Sequence, residues 1–443
     1  MSNDQFIKTL DENDENIFQF TSEYVGSGHP DKLADQISDS ILDACLKIGI
    51  ERCAIETAIF QNNVVIFGEC GGGPLKNITN NSNEHFLEEL INIKKIVQDI
   101  LKNCGYDDER TTDWRSVNVK CHVIKQSENI EQAVLHGQEA ETTENQAAGD
   151  QGIMFGYATN ETKELMPLTL ILARDLCKMI ENLRQKFAFL RSDCKSQVTV
   201  NYFKQNGALI PLSVKLIVLS VHHAKNLTSF RDVFNEEILR LSSNDKRTRY
   251  DNLEHLNDMD LLRLFLKLQI QTFVLSKYEV ISKNARFLIE PSGLFEIGGP
   301  MADSGLTGRK TICDGYGGFG SSGGGAFSGK DWTKVDRTGA YAARWIAVSL
   351  IKAGFCKRVN IQLAYVIGLE DVVSIFVDTY GTGSKSDSEL TRIIRRNFDL
   401  KPNAIANALD LKKIKFETFS VWGHFGRENV PWEVPKKLKF EKN

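Results

Sequence analysis

Residues 316–337 read YGGFGSSGGGAFSGKDWTKVDR, a glycine-rich run that leads into Lys330, Asp331, Lys334 and Asp336. Glycine has no Cβ, so the backbone can approach a ligand closely and turn its N–H groups toward an anion. Lysine adds a point charge for phosphate oxygens, and a carboxylate can hold a Mg²⁺ ion that bridges to those phosphates. The stretch predicts a site for a polyphosphate and its metal, although a mobile loop with solvated lysines has the same composition.

Two nucleotide-binding fingerprints nearly match inside this stretch. Residues 318–323 spell G-x-G-x-x-G, but more glycine follows, and Asp336 comes too soon for the acidic residue that contacts a ribose. Residues 324–330 spell G-x-x-x-x-G-K, but Asp331 stands where a P-loop has the Ser or Thr that binds Mg²⁺. We reject the dinucleotide fingerprint, and the P-loop stays open as a competing interpretation.

The composition is that of an ordinary globular protein. The chain has 443 residues and a net charge of -4, which predicts two or three domains and disfavours a nucleic-acid partner. No segment has the long apolar run of a membrane span, and the polar N-terminus leads us to expect a soluble, cytoplasmic protein. The nine cysteines are scattered without C-x-x-C, a pattern typical of reduced, buried thiols.

Hydrophobic periodicity predicts a helix–strand–strand–helix–strand unit that occurs three times. The first unit has a helix from Pro30, strands at 52–60 and 63–69, a helix at 84–103 and a strand at 116–124. The second has a helix at 166–186, strands at 197–203 and 212–222, helical segments within 229–275 and a strand at 285–290. The third has a helix at 338–353, strands at 358–367 and 373–379, a helix at 386–398 and a strand at 416–422. A repeat this long indicates three pseudo-symmetric α+β domains rather than a solenoid.

These units divide the chain into segments. We predict a polar tail at 1–16, an N-terminal domain at 17–126, a mobile active-site lid at 127–148, a central domain at 149–292 and a C-terminal domain at 293–443. Residues 70–83 and 224–283 stand outside the repeat and are expected to be surface insertions. His29 and Asp31 fall at the N-terminus of the first helix, where free N–H groups attract anions.

Three motifs together resemble those of the S-adenosylmethionine synthetases, or methionine adenosyltransferases. They are GHPDKLADQISDSILDA, AAGDQGIMFGYATNE and GGGAFSGKDWTKVDRTGAYAARW, supported by FTSE, AIET, GGPMADSGLTGRK and GHFGRENVPWEVPKKLK. The resemblance covers the chain from Phe18 onward, apart from the two insertions. It implies three α+β domains related by pseudo-threefold symmetry, and a homodimer or dimer of dimers with active sites shared between subunits.

The implied reaction joins ATP and L-methionine to give S-adenosylmethionine, and hydrolyses the displaced tripolyphosphate to phosphate and pyrophosphate. The methionine sulfur carries no proton and needs no general base, so the difficult part is to expel a highly charged leaving group. Cations should therefore dominate the site. The resemblance implies Mg²⁺ and K⁺ as cofactors.

Residue-by-residue matching to the family motifs implies the members of the site. The catalytic cations and histidine are His29, Lys195, Arg309, Lys310, Lys330 and Lys334. The same six side chains contact ATP together with Asp150, Asp193, Ser292, Phe295, Asp303 and Ala326. Methionine contacts fall on Glu69, Gln126, Asp303, Lys334 and Asp336. Mg²⁺ is held through Glu23, Asp31 and Asp336, and K⁺ through Glu56.

The sequence departs from the family pattern in three places. Ala147 replaces a glycine beside the expected lid, Met301 and Ala302 precede Asp303 where the family has a glycine, and Phe60-Gln61 replace a frequent Lys-Thr. None of these changes removes a charged group of the site. They nevertheless leave open an alternative in which the chain is an inactive, nucleotide-binding paralogue that acts as a partner subunit.

Overall fold

The computed structural model describes residues 14–73, 75, 86–108, 112–127, 148–242 and 253–440. Ala147, nearly all of the expected lid and tail, and most of the 70–83 segment lie outside these residues. The predictions for them therefore stay untested.

The elements follow one another along the chain. The strands are β1 (Ile17–Val25), β2 (Arg52–Phe60), β3 (Asn63–Gly71), β4 (Asp107–Asp108), β5 (Thr112–Asp113), β6 (Asn118–Lys125), β7 (Gly152–Thr159), β8 (Leu190–Gln205), β9 (Ala208–His223), β10 (Arg286–Ile289), β11 (Gly305–Leu306), β12 (Arg358–Tyr365) and β13 (Ser374–Asp378). The α-helices are α1 (Pro30–Lys47), α2 (Phe86–Leu90), α3 (Ile93–Asn103), α4 (Leu168–Arg184), α5 (Arg231–Ser242), α6 (Asp258–Gln269), α7 (Glu279–Ser282), α8 (Thr311–Asp314), α9 (Val335–Lys352), α10 (Asp387–Asn397) and α11 (Pro402–Ala408).

The three main sheets exchange their leading strands in a cycle. The strand order is β11-β2-β3-β6 in the first sheet, β1-β8-β9-β10 in the second and β13-β12-β7 in the third. The first strand of the N-terminal segment thus pairs with the central hairpin, that of the central segment with the C-terminal hairpin, and β11 returns to the N-terminal hairpin. All three leading strands pair antiparallel with their hosts. This cyclic arrangement confirms the prediction of three related α+β domains.

A long helix covers each sheet. Helix α1 packs on β2, α4 on β8 and β1, and α9 on β7 and β12. Each carries apolar residues at helical spacing, and their buried faces belong to one continuous hydrophobic core. The N-termini of α1 and α9 carry the charged residues that the sequence singles out, so the same packing that forms the core also positions the site.

Two of the predicted elements differ from the structure. The predicted strand at 416–422 is wrong, because Phe416–Phe419 is a 3₁₀ helix. Phe416 and Phe419 are buried three residues apart, which is helical rather than strand spacing, and the N–H groups of Phe416 and Glu417 donate to the Asp43 carboxylate. The predicted helix at 84–103 is likewise interrupted and forms α2 and α3.

The described parts of the 224–283 segment, residues 224–242 and 253–283, are packed into the central domain rather than added to its surface. Phe234 on α5 and Phe265 on α6 are fully buried, with ring centroids 4.6 and 5.5 Å from the Phe189 ring. Phe189 in turn lies just before β8, in the core of the domain. These helices therefore complete the core and are not a surface insertion.

Candidate active site

The edge of β2 brings two distant segments together. Leu306 on β11 pairs with Ala58, and Lys330 forms an isolated bridge with Ala54. Four residues along a strand span about 13 Å, since each residue adds about 3.3 Å. The end of the glycine-rich stretch thus lies next to the segment with Arg309 and Lys310, along the same edge of β2.

The first of two charged clusters lies at the start of α1. His29 is the N-cap residue, and its Nδ1 accepts a hydrogen bond of 3.2 Å from the backbone N–H of Asp31. The Asp31 carboxylate is buried, accepts the Leu306 N–H at 3.0 Å and pairs with Lys310. Arg309 approaches the same carboxylate, with Nε 3.6 Å from Oδ1. One helix terminus therefore collects a histidine, a carboxylate and two cations.

The environment shifts the pKa values of both α1 residues. Burial, followed by the positive charge of Lys310, lowers the pKa of His29 to about 4. Burial alone would raise the pKa of Asp31, but the hydrogen bonds from Lys310 and Leu306 lower it below its ordinary value. At neutral pH the cluster therefore contains an uncharged imidazole and an ionised carboxylate.

The second cluster lies where the glycine-rich stretch enters α9. Lys330 pairs with Asp336, and Lys334 pairs with Asp331 at 2.9 Å. Asp331 is fully buried and also accepts the N–H groups of Cys53 and Thr333, both at 2.6 Å. A carboxylate held by so many donors is fixed, and it fixes the ammonium of Lys334 beside it.

Two glycines of the stretch are required at their positions. A Cβ on Gly325 would overlap the Asp336 carboxylate, and a Cβ on Gly329 would overlap the backbone oxygen of Ile55. Gly329 also has a φ of +79°, a conformation that other residues rarely adopt. The glycines therefore let the chain pass close to Asp336 and β2. The turns they form are followed by α9 only at Val335, which is not the strand–loop–helix context of a P-loop.

Glu69 faces this second cluster across β2. It pairs with Ala54, the residue that Lys330 pairs with on the other side, so the side chains of Glu69 and Lys330 share one face of the sheet. The buried amide of Gln126 donates to Glu69 at 2.9 Å and accepts from Arg52 Nε at 3.0 Å. Gln126 thus holds Glu69 in place.

A third group of expected residues lies around the loop that follows β10. Asp193 is buried and accepts the Gly299 N–H at 2.7 Å, and burial raises the pKa of its carboxyl to about 7. Phe295 is half-buried, and its ring centroid lies 5.6 Å from that of His222. Its backbone N–H donates to Nε2 of the His223 side chain, and its carbonyl oxygen accepts the His223 N–H, both at 3.0 Å. The charge of Asp303, which lies on this loop, acts on His29, so the loop borders the first cluster.

The remaining expected residues are less tightly placed. Lys195 pairs with Glu23 at 3.1 Å across the β1–β8 pair, and both side chains are half-exposed. Ala326 lies against Gly308, beside Arg309. Among the described residues, no side-chain contact joins the exposed Glu56, Asp150 or Ser292 to either cluster. The structure thus brings most of the expected residues together but leaves these three at the surface.

The sequence did not indicate Arg52 as a member of the site, and it did not indicate the role of Asp331. Asp331 was expected as one of the acidic residues of a polyphosphate and metal stretch and as a departure from the P-loop pattern, yet it is the buried partner of Lys334. Arg52 begins β2 directly opposite Gly71 and holds Gln126. The spacing of Asp331 three residues before Lys334 was available as a signal, because a carboxylate and an ammonium at this spacing can meet in a turn. Nothing in the sequence marked Arg52.

The fold and the two clusters define a three-domain α+β protein with a cation-rich site built from all three sequence segments. Family models for the N-terminal, central and C-terminal domains of S-adenosylmethionine synthetase match residues 17–128, 145–295 and 297–434. The chain belongs to the S-adenosylmethionine synthetase family. Its class is therefore that of the transferases of S-adenosylmethionine biosynthesis, a family that uses divalent and monovalent cations.

Two expectations from composition also have structural counterparts. All nine cysteines are buried and free of disulfides, as predicted. None of the helices in the described part of the chain has the length and apolar character that a membrane crossing requires.

Proposed function

We propose that this chain is a catalytically active methionine adenosyltransferase. In this reaction the sulfur of L-methionine attacks C5′ of ATP, the C5′–O bond breaks, and water then cleaves the tripolyphosphate to phosphate and pyrophosphate. The observation that carries the proposal is the convergence of Arg309, Lys310, Lys330 and Lys334 along one edge of β2. That arrangement is what expulsion of a polyphosphate needs, because its charge grows as the bond breaks.

The ion pairs of the site suggest how substrate would enter. Lys310 pairs with Asp31, Lys330 with Asp336 and Lys195 with Glu23. A polyphosphate can take over the lysines, because it offers them several anionic oxygens at once. The carboxylates released in this way are then free for a metal. Each ion pair would thus be replaced by two new contacts: the lysine would bind the polyphosphate, and the carboxylate would bind the metal that arrives with it.

His29 would act as an uncharged donor. Its pKa of about 4 leaves the ring neutral at physiological pH. Nδ1 accepts the Asp31 N–H, so Nε2 carries the proton and can donate to an oxygen of the substrate. A hydrogen bond from Nε2 to the oxygen that leaves C5′ would stabilise the negative charge that develops there. No proton needs to be transferred to the histidine.

The donors available for metals suit Mg²⁺. Asp31, Asp336 and Glu23 offer hard carboxylate oxygens, and Mg²⁺ binds through one or two carboxylates together with substrate phosphates. When bound, the metal would neutralise phosphate charge beside the lysines. Glu56 is a single exposed carboxylate on β2, so a K⁺ site there needs further oxygen ligands. A partner subunit can supply them, which makes K⁺ binding part of the proposal for assembly.

The outer face of the first sheet supports assembly as a homodimer or dimer of dimers. Phe60 and Ile124 are 41% and 61% exposed on this face, and Phe67 lies between them on β3. Glu56 and Glu69 share the same face, so a second copy packed there would also meet the site. A sheet face with exposed apolar residues beside functional carboxylates is suited to a shared active site.

The proposal is tested by incubating the purified protein with ATP, L-methionine, Mg²⁺ and K⁺ and quantifying all products. We expect S-adenosylmethionine, phosphate and pyrophosphate in equal amounts, with none of them formed when methionine is omitted. Nucleotide binding without products would favour the inactive paralogue. Release of ADP without S-adenosylmethionine would favour P-loop chemistry.

A further inference from the structure

Three thiols from three elements converge in the core behind the second cluster. Cys45 on α1, Cys53 on β2 and Cys70 on β3 are each fully buried, and their sulfur atoms lie within 4.8 Å of one another. Cys53 and Cys70 are direct cross-strand partners, with their Sγ atoms 3.5 Å apart. In the sequence these cysteines are 8 and 17 residues apart and match no metal-binding motif. Only the fold assembles them.

A cluster of three sulfur donors favours a soft ion with three ligands. Three sulfur atoms are soft donors, which prefer soft ions over Mg²⁺ or Ca²⁺. Within the described residues, no fourth Cys, His, Asp or Glu joins the group, so the cluster lacks the four protein ligands of a structural zinc site.

Burial further restricts the charge of the occupant. The cluster lies among apolar side chains such as Ile50, Ile55 and Ile66 in the same core. An uncompensated charge in such surroundings is costly, whereas a neutral complex is not. Trivalent arsenic satisfies both conditions, because it takes three sulfur ligands and its three positive charges balance three thiolates.

We propose that Cys45, Cys53 and Cys70 form a binding site for a soft, three-coordinate thiophilic ion, of which trivalent arsenic is the probe. One As(OH)₃ reacts with three thiols to give one As(SR)₃ and three water molecules. Three As–O bonds and three S–H bonds break, three As–S bonds form, and each thiol proton leaves in water. No oxidant or reductant is needed, and the product is neutral.

The cluster is connected to both sides of the second charged cluster. The backbone N–H of Cys53 donates to Asp331 at 2.6 Å, and Asp331 holds Lys334. The backbone oxygen of Cys70 accepts the Gln126 N–H at 2.8 Å, and Gln126 holds Glu69. An ion that draws the three sulfurs toward a common centre therefore shifts the strands that carry these contacts. Occupancy should lower the adenosyltransferase activity, an inference that rests on the proposed function.

The binding test uses the full-length protein and arsenite. We expect one arsenic per chain by elemental analysis of the folded protein after desalting. Binding should be slow, because the thiols are fully buried and become accessible only through local opening. Cys45→Ala and Cys70→Ala should lose this stoichiometric binding, while Cys356→Ala, a buried cysteine in the C-terminal domain, should retain it. Thermal unfolding of each variant verifies that it is folded.

Binding is measured separately from activity, so that the two proposals fail in different ways. Stoichiometric arsenic with unchanged product formation would remove the link to the active site and leave the binding site intact. A protein without adenosyltransferase activity that still binds arsenic through these thiols would refute only the proposed function. Retained binding in both Cys45→Ala and Cys70→Ala would overturn the site. So would loss of two thiols to a Cys53–Cys70 disulfide with no arsenic bound.

Discussion

Asp336 and Arg337 are neighbours on α9, yet their ion pairs are of different kinds. Arg337 and Asp39 are both 0% exposed and joined by two hydrogen bonds, of 2.7 and 2.9 Å. Asp336 and Lys330 are 24% and 22% exposed, and they form a single contact at the rim of the site. The helix thus directs one charge into the core and the next toward the substrate side.

The difference in burial determines what each pair can do. A buried pair has lost its water, so removing one partner leaves a charge that nothing compensates. An ion pair that keeps contact with solvent contributes little to stability, and its partners can be exchanged at small cost. Lys32, buried between Asp35 and Asp314 at 2.7 and 2.6 Å, belongs to the first kind. We infer that buried pairs maintain the fold and that rim pairs are available to substrate.

The largest effect is expected for Arg337→Met. The variant leaves the Asp39 carboxylate buried without its partner, which should destabilise the protein by about 3–5 kcal/mol. Denaturant unfolding measures this loss. The double variant Arg337→Met, Asp39→Asn should recover part of it, because the amide is neutral and its oxygen can still accept the Gly329 N–H. An unchanged midpoint of denaturant unfolding in the single variant would show that the burial of an ion pair does not determine how much the pair stabilises the protein.

The opposite pattern is expected for Lys330→Ala. Removing a rim lysine should change stability by less than about 1 kcal/mol, because its pair is partly exposed and makes a single contact. It should lower kcat by about 100- to 1,000-fold, the cost of losing one group that stabilises developing charge. Product formation and thermal unfolding are measured together. Lys163→Ala is the matched control, because Lys163 and Glu428 are 82% and 79% exposed in a simple surface pair. A variant with normal kcat would exclude this role for Lys330.

Much of the fold was predictable because its signals are local. The helices α1, α4 and α9 carry apolar stripes, and β2 was predicted with the bounds that the structure has. The exchange of leading strands was not predictable, because pairing of β1 with β8 joins residues about 180 positions apart and depends on the packing of whole domains. The strand predicted at 416–422 failed because its aromatic residues suit either a strand or a buried helical turn.

The site was predictable where a motif carried the chemistry. His29, Asp31, Arg309 and Lys310 were named from sequence, and they meet at one helix terminus. The roles of Asp331 and Arg52 were not predicted, because they come from contacts with Lys334 and Gln126 that only the fold creates. The thiol cluster could not be predicted either, because isolated cysteines in the sequence do not show that two strands and a helix will bring them together.

Asp331→Asn tests an ion pair that lies between the two kinds, so its effect on activity should be smaller than that of Lys330→Ala. Asp331 is buried like the core pairs, but its partner Lys334 is at the site. The asparagine oxygen can still accept an N–H, so the fold should survive, while the ammonium loses a charged hydrogen bond worth about 1.5–3 kcal/mol. We expect kcat to fall about 10- to 100-fold, measured by steady-state kinetics. A loss of folding instead would make Asp331 a core residue like Asp39.

The last effect is confined to the pH dependence of stability and comes from the carboxyl group of Asp193. Burial raises its pKa from 3.8 to about 7, so the folded state binds this proton more tightly than the unfolded state does. The resulting stabilisation is complete below pH 3.8 and is lost as the pH rises through about 7. Asp193→Asn cannot ionise and still offers an oxygen to the Gly299 N–H. Between pH 4 and 8 the wild type should therefore lose more stability than the variant, as measured by thermal unfolding. Parallel curves would mean that Asp193 is ionised in the folded protein, and its burial would then resemble that of the paired carboxylates in the core.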